Sequence, residues 1–452
     1  MYMKADRIDL TQGSILKKLL YIVMPIIGTQ LVQMSYNLTD TFWLGRIGPN
    51  AVAASGTAGM FIWLSAAFII IGRMGAEIGV AQSVGAGNIE QAFSFSNNGV
   101  KIGFLLGIVY ATILITFHVP LVRFFDIQEP SVVRDTEVYL SIVSIAMPAN
   151  FITAALTGTF NSYGNTRTPF LINMTGLVIN MILDPICIFI FQWGITGAAG
   201  ATVVSQIIVV TMMIFAIKKS RHRPFIKYII KTKINKKAVK SIFKWTIPLM
   251  LESMLFTLLS MVVMRYVNAF GPNAVAVNRV GSQVESFSWL IGGGFASALT
   301  AFIGQNYGAR QWARIRRGFK ISTYTMLLYG LAITFLLRLF AGNFYDLFLP
   351  EQPQIRLMGM SYLMIISLCQ VPQCLEAVAG GTLKGIGKTM PPSIISIVSN
   401  ILRVVLVIII SGGDWGLEGI WYVITITAII RGMTMYLYYI FTIHFRSGIL
   451  CK

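Results

Sequence analysis

The sequence predicts an all-α membrane protein of twelve transmembrane helices in two six-helix halves. Three observations predict it: composition, an internal repeat and the alternation of loop charge. With 55% apolar and 12% charged residues and a mean hydropathy of +0.71, the 452-residue chain cannot present an ordinary soluble surface. Its apolar runs approach the ~20 residues that cross a bilayer as a helix. The short alternating segments of a transmembrane β-barrel are not seen.

The repeat is legible letter by letter. Gly48-Pro49-Asn50-Ala51-Val52-Ala53 returns as Gly271-Pro272-Asn273-Ala274-Val275-Ala276, an offset of 223 (271 − 48). The same offset carries Pro25 onto Pro248, Gln82 onto Gln305, Gly158-Thr159 onto Gly381-Thr382 and Pro169 onto Pro392. Residues 1–217 therefore read as an N-terminal lobe, 218–244 as a linker and 245–452 as a C-terminal lobe.

Spans are expected at about 21–46, 53–83, 100–119, 138–160, 170–191, 197–217, 245–268, 275–305, 319–340, 357–381, 392–411 and 419–442. Most of the 36 Lys and Arg fall in alternate connections, eleven of them between Lys218 and Lys244. The positive-inside rule then makes both termini cytoplasmic in a multi-pass protein of the cell (plasma) membrane. The basic linker is expected against anionic lipid headgroups. A net charge of +19 so placed argues for membrane lipids as partners and against nucleic acid. Asp6, Asp9 and a full-length first span argue against a cleavable signal peptide. Neither the four cysteines nor His118, His222 and His444 have metal-ligand spacing.

In helix 1, Pro25 removes a backbone donor and is the expected hinge, as is Pro248 in the repeat. Gln30, Gln33, Asn37 and Asp40 follow at i, i+3, i+7 and i+10, one polar stripe that lipid would leave unsatisfied. The second copy reads Ser253, Phe256, Ser260 and Val263, so the acid belongs to the first half alone. Helix 2 ends in a glycine-rich turn with Arg73 and Glu77 one helical turn apart, an expected local ion pair.

Helix 5 places Asn173, Gly176, Asn180 and Asp184 on one face. Pro185 leaves the Met181 carbonyl without its usual partner. These are hard oxygen ligands, of the kind a sodium ion or a proton-linked water network requires. Helix 6 offers Thr202 and Gln206 on one face. Glu252, Glu285 and Glu376 stand in the second half with Arg403 and Arg431. Arg403 reads as lying near the counterpart of Leu183 and pairing with one of those glutamates.

Several activities are disfavoured. Gly381 to Thr389 imitates a phosphate-binding loop, yet GxxxxGK[ST] requires glycine where Thr382 stands, and no strand precedes it. Neither HExxH nor a paired-aspartate motif occurs, which argues against an enzyme. Duplication within one chain argues against an oligomeric channel and for a monomer.

In combination, Asn37-Leu38-Thr39-Asp40, the Gly48-Pro49 turn, Gln82 with Gly85-Ala86, Gly164-Asn165-Thr166-Arg167-Thr168-Pro169 and Asn180 through Asp184-Pro185 resemble the multidrug and toxic compound extrusion (MATE) transporters. The resemblance covers about residues 15–445. It implies two pseudo-twofold-related six-helix lobes whose central cleft alternates in access. It also implies export of bulky, often cationic, drug-like compounds in exchange for protons or sodium, with no other cofactor. Carried over, Asp40, Asn180, Asp184 and Thr202 match an N-lobe cation site for proton or sodium, with Tyr139 adjoining it. Glu252 matches a C-lobe acid, although Gln373 replaces the aspartate that accompanies it in some members. Gln33, Asn37, Asn173, Gln206 and Glu252 are the expected cleft residues. Asp40 would attract a cation when charged and release the drug when neutralised, letting helix 1 rebend at Pro25. A lipid-linked saccharide flippase of the same superfamily is the alternative, and it would be expected to place more cations at mid-span.

Overall fold

The computed structural model describes residues 8–127, 129–219, 234–348, 353–411, 413 and 415–441. Most of the basic linker, His222, His444, Cys451 and both chain ends lie outside the described residues. The described chain is helical, with no strand.

The first half runs α1 (Ile15–Ile47), α2 (Pro49–Gly85), α3 (Ile89–Arg123), α4 (Pro130–Ser144), α5 (Met147–Ser162), α6 (Arg167–Pro185) with a π-helix at Ile186–Ile190, and α7 (Gly194–Lys219). The second runs α8 (Lys236–Asn268), α9 (Pro272–Gly308), α10 (Trp312–Leu339), the short α11 (Ala341–Phe348), α12 (Pro353–Ser367), α13 (Gln370–Gly385), α14 (Met390–Ser411) and α15 (Gly416–Tyr439). The 223-residue offset holds for the element boundaries: α2, α4 and α5 start at 49, 130 and 147, and α9, α12 and α13 at 272, 353 and 370.

Among the described residues ten helices are long and apolar enough to cross a membrane, and up to twelve if each of two bent pairs is one span. The expected spans at 138–160 and 357–381 each correspond to one of these bent pairs. α4 meets α5 at 48° and α12 meets α13 at 42°. Proline explains both breaks. Pro148 cannot donate to the Ser144 carbonyl, nor Pro372 to that of Leu368, so the ladder is interrupted where each first member ends. By contrast, the helix continues through Pro25 in α1 and Pro248 in α8.

The chain divides into two compact units. Unit 1 comprises residues 1–10 and 20–250, and unit 2 comprises 11–19 and 251–452. Within unit 1, glycine brings helices into backbone contact: a Cβ at Gly72 of α2 would stand 3.1 Å from the Gly99 carbonyl oxygen of α3. Phe151, Leu140 and Met147 fill one of its cores. In unit 2 the buried Trp421 meets Tyr362 edge to face at 5.2 Å, and the Tyr345 hydroxyl donates to the Val277 carbonyl at 2.8 Å.

Two tight connections need a backbone that only glycine adopts readily. Gly48 and Gly271 hold φ of 150° and 91° just before the prolines that open α2 and α9. Gly194 and Gly416, at φ 54° and 57°, open α7 and α15. Here the offset is 222 (416 − 194) instead of 223. The π-helix lies just upstream in the first half, where the Phe191 N–H bonds the Ile186 carbonyl at 3.0 Å, an i to i+5 closure that takes up one additional residue.

Candidate functional site

Four helices of unit 1 bring their polar residues to one place. α1 contributes Tyr36 and Asp40 one turn apart, α4 Tyr139, α6 Asn180 and Asp184 one turn apart, and α7 Thr202 with Ser205. Asn180 and Asp184 are fully buried, Tyr139 is buried and Asp40 is half-buried. The Asn180 amide donates to Asp184 Oδ1 at 3.1 Å, and the Thr202 hydroxyl to Asp40 Oδ2 at 3.4 Å. Asp184 and Asn180 lie close enough to the Asp40 carboxylate to act on it, and Thr202 is its one hydrogen-bond partner among the described residues.

Four buried oxygens in this group have no hydrogen-bond partner among the described residues: the acceptors Asp40 Oδ1, Asp184 Oδ2 and Asn180 Oδ1, and the Tyr36 hydroxyl. Buried acceptors left in that state are costly. Two facing carboxylates repel unless a proton or a cation sits between them. The set is all oxygen, which suits a small hard cation or a shared proton. Among the described residues no three His, Cys, Asp or Glu side chains cluster as a metal site.

Local sequence explains the geometry. Asp184 ends the regular part of α6 because Pro185 brings no N–H, and the chain then passes into the π-helix. π-turns of this kind recur at functional sites, where they re-aim side chains.

The expected cleft residues are placed differently. Asn37 donates back to the Gln33 carbonyl at 3.2 Å and Asn173 to the Pro169 carbonyl at 2.7 Å, so each amide satisfies its own helix. Gln33 and Asn37 are exposed, and Gln206 lies half-buried one turn beyond Thr202. Glu252 belongs to unit 2, where its Oε2 accepts the Ser393 hydroxyl at 2.8 Å. Arg73 and Glu77 form the expected local pair at 4.0 Å.

Two neighbours of the acids escape sequence reasoning. Tyr36 brings its hydroxyl beside Ser205, whose own proton goes to the Ala201 carbonyl at 2.8 Å, and Tyr139 lies within electrostatic reach of Tyr36 and both aspartates. Helical spacing was the available signal: Tyr36 precedes Asp40 by four residues and Ser205 follows Thr202 by three.

The second half corrects two expectations. α6 and α14 start 223 residues apart (390 − 167), which aligns Arg403 with Asn180, not Leu183, and Val407 with Asp184. The guanidinium that pairs with a glutamate is Arg431, whose Nε meets Glu376 Oε2 at 2.8 Å. Arg403 instead donates to the Thr427 hydroxyl at 2.9 Å, with Glu285 near enough to act electrostatically. Glu285 Oε1 accepts from Trp289 Nε1 at 3.0 Å and Gln373 Nε2 at 3.4 Å. Where the first half has two acids and an amide, the second has two valines and a guanidinium.

Ten to twelve candidate spans among the described residues, in duplicated halves, one of them holding two neighbouring acids, are the frame of a polytopic membrane carrier. The chain belongs to the MatE family of transporters: the family model matches residues 25–186 and again 248–409, two segments that are themselves 223 residues apart. It is 26% identical over 391 residues to the probable multidrug resistance protein NorM of Thermotoga maritima, covering 85% of this chain and 82% of that one. It is 25% identical over 445 residues to an FAD transporter of Shewanella oneidensis, covering 95% and 96%. Among solved structures, a MATE transporter in its bent conformation superposes with a TM-score of 0.91 at 20% identity, with 98% of each chain covered. A MOP-superfamily transporter from Pyrococcus furiosus, described as having a binding pocket of reverse polarity, gives 0.89 at 20% identity and the same coverage. At that identity the likeness to solved structures shows the fold alone.

Proposed function

We propose that this protein exports bulky, often cationic, drug-like compounds across the cell membrane in exchange for protons or sodium, with Asp40 and Asp184 as the coupling acids. The observation that carries the reading is the set of three donorless buried oxygens on Asp40, Asn180 and Asp184. The names of the multidrug resistance relatives support the substrate class. The placement of Lys and Arg in alternate connections supports cytoplasmic termini.

Only differential affinity moves a carrier between inward-open and outward-open states. With both acids charged, the site attracts a cation. A proton or sodium ion arriving between the carboxylates takes the pair from two negative charges to one, which weakens its hold on a cationic drug, and helix 1 rebends at Pro25. Thr202 and Asn180 orient the two carboxylates toward each other. Tyr139 and Tyr36 close the site with aromatic rings that can also face a flat cation. No cofactor beyond the coupling ion is required, and the chain works as a monomer.

The test is ethidium efflux from proteoliposomes, driven in turn by a proton gradient and by a sodium gradient at fixed pH. Export under either gradient that Asp40→Asn abolishes supports the reading and names the ion. If neither gradient drives export while a labelled lipid-linked sugar crosses the bilayer, the protein is a flippase and the acids need another account.

A further inference from the structure

Unit 2 contains a cavity of about 320 Å³ that the acid site of unit 1 does not explain. Four charged residues line it: Glu252 of α8, Glu376 and Lys384 of α13, and Arg431 of α15. Arg431 is buried at 6% exposure and its pairing with Glu376 at 2.8 Å neutralises both. That leaves one charge of each sign. Among the described residues Glu252 accepts a hydroxyl from Ser393 and has no cation within 4.0 Å, Arg431 acting on it only at longer range, and no acid pairs with Lys384.

Unmatched charges on the wall of a cavity, away from bulk water, are expensive, and such residues often mark a ligand site. A bare organic cation would satisfy Glu252 and leave Lys384 opposed. A bare anion would do the reverse, and two acids on the wall repel a diphosphate. The aromatic wall is Trp289. Its indole N–H is already committed to Glu285 at 3.0 Å and its ring packs beside Phe256 at 6.0 Å, so what remains to offer a ligand is a held ring face. Gly292 adds wall without a side chain.

We propose that this cavity is a second binding site, specific for an organic zwitterion: a flat aromatic body with its amine at Glu252, its carboxylate at Lys384 and its ring on Trp289. The inference rests on the transport reading only in supposing that such compounds are cargo, since binding here needs neither Asp40 nor an ion gradient.

Equilibrium binding of tritiated 2-naphthylalanine to the full-length protein in nanodiscs tests it, with 2-(2-naphthyl)ethylamine and 3-(2-naphthyl)propionate as competitors. Each single-charge analogue is expected to bind at least about tenfold more weakly than the zwitterion. Glu252→Gln and Lys384→Gln should each weaken naphthylalanine about tenfold, and Glu252→Gln should erase the preference for zwitterion over propionate. Gly292→Leu should abolish binding by filling the cavity. A Cβ there meets only Ala377 Cβ, at 4.0 Å, so the fold tolerates the substitution. Asp40→Asn should leave binding intact. No saturable binding to about 1 mM, equal affinity for amine and zwitterion, or unchanged affinity in monodisperse Glu252→Gln and Lys384→Gln protein would overturn the proposal. If ethidium export still depends on Asp40 in that event, antiport stands and only the second site falls.

Discussion

Thr202 Oγ1 donates to Asp40 Oδ2 at 3.4 Å, joining α7 to α1 across 162 positions of the chain. A contact of that length contributes a fraction of a full charge-assisted hydrogen bond. Thr202→Val keeps the shape and removes the donor. The concentration of coupling ion giving half-maximal export should rise about three- to tenfold, with drug affinity in the absence of a gradient unchanged. A wild-type ion dependence would exclude Thr202 from the coupling site.

Asp184 holds the second carboxylate, and its Oδ2 faces no donor among the described residues. Asp184→Asn should reduce gradient-driven export at least tenfold while changing drug binding less than about threefold, because the amide keeps the shape but cannot share a proton or balance a cation. The measurement is export against pH and against sodium. An identical profile in the variant would make the α6 group a packing feature only.

The π-helix that follows Asp184 is held by α7 through Gly197, where a Cβ would stand 2.7 Å from the Cys187 carbonyl oxygen. Backbone cannot yield there as a side-chain tip can. Gly197→Ala should cost about 1–3 kcal/mol and lower the Tm of the solubilised protein together with export. Gly200, three residues on, has nothing within 4 Å of its Cβ position. Gly200→Ala should leave Tm equal or raise it, since alanine is the better helix former by roughly 0.5–1 kcal/mol. Equal behaviour of the two variants would mean that this contact does not hold the turn.

The Arg431–Glu376 pair is buried, so breaking it leaves an uncompensated charge. Arg431→Met should destabilise by about 3–5 kcal/mol, and Arg431→Met with Glu376→Met should recover most of the loss. Size-exclusion profiles and Tm report both. A double variant no better than the single one would assign the loss to the arginine's packing.

Much of this architecture could be read in the letters. Long apolar runs and the 223-residue echo gave the spans and the halves, because bilayer thickness and duplication leave one-dimensional traces. Asp40, Asn180 and Asp184 stood out on their own helices because carboxylates and amides at mid-span are hard to justify as packing, and the resemblance to MATE transporters joined them with Thr202 as one group. The bends at Pro148 and Pro372 were less so, since proline at a break and proline inside a continuous helix, as at Pro25, look alike in sequence. Asn37 and Asn173 show a related limit: periodicity puts an amide on a face but does not say that its own helix will satisfy it. Tyr36 reads as one more aromatic until the fold sets it beside Ser205.

The one-residue change of offset has a practical meaning for anyone building chimeras of the two halves. Gly194 follows Asn180 by fourteen residues, whereas Gly416 follows Arg403 by thirteen. Each residue turns an α-helix by about 100°. A graft that moves α14 into the place of α6 by equal numbering would therefore enter the next helix out of phase, and Thr202 would arrive on the wrong side of α7. Moving the acids alone into the second half, as Val263→Asp with Val407→Asp, would not rebuild the ion site either. The α6 part of such a transfer has to run from Asn180 through Gly194 so that it includes the π-turn, and the counterparts of Asp40 and Thr202 have to go with it.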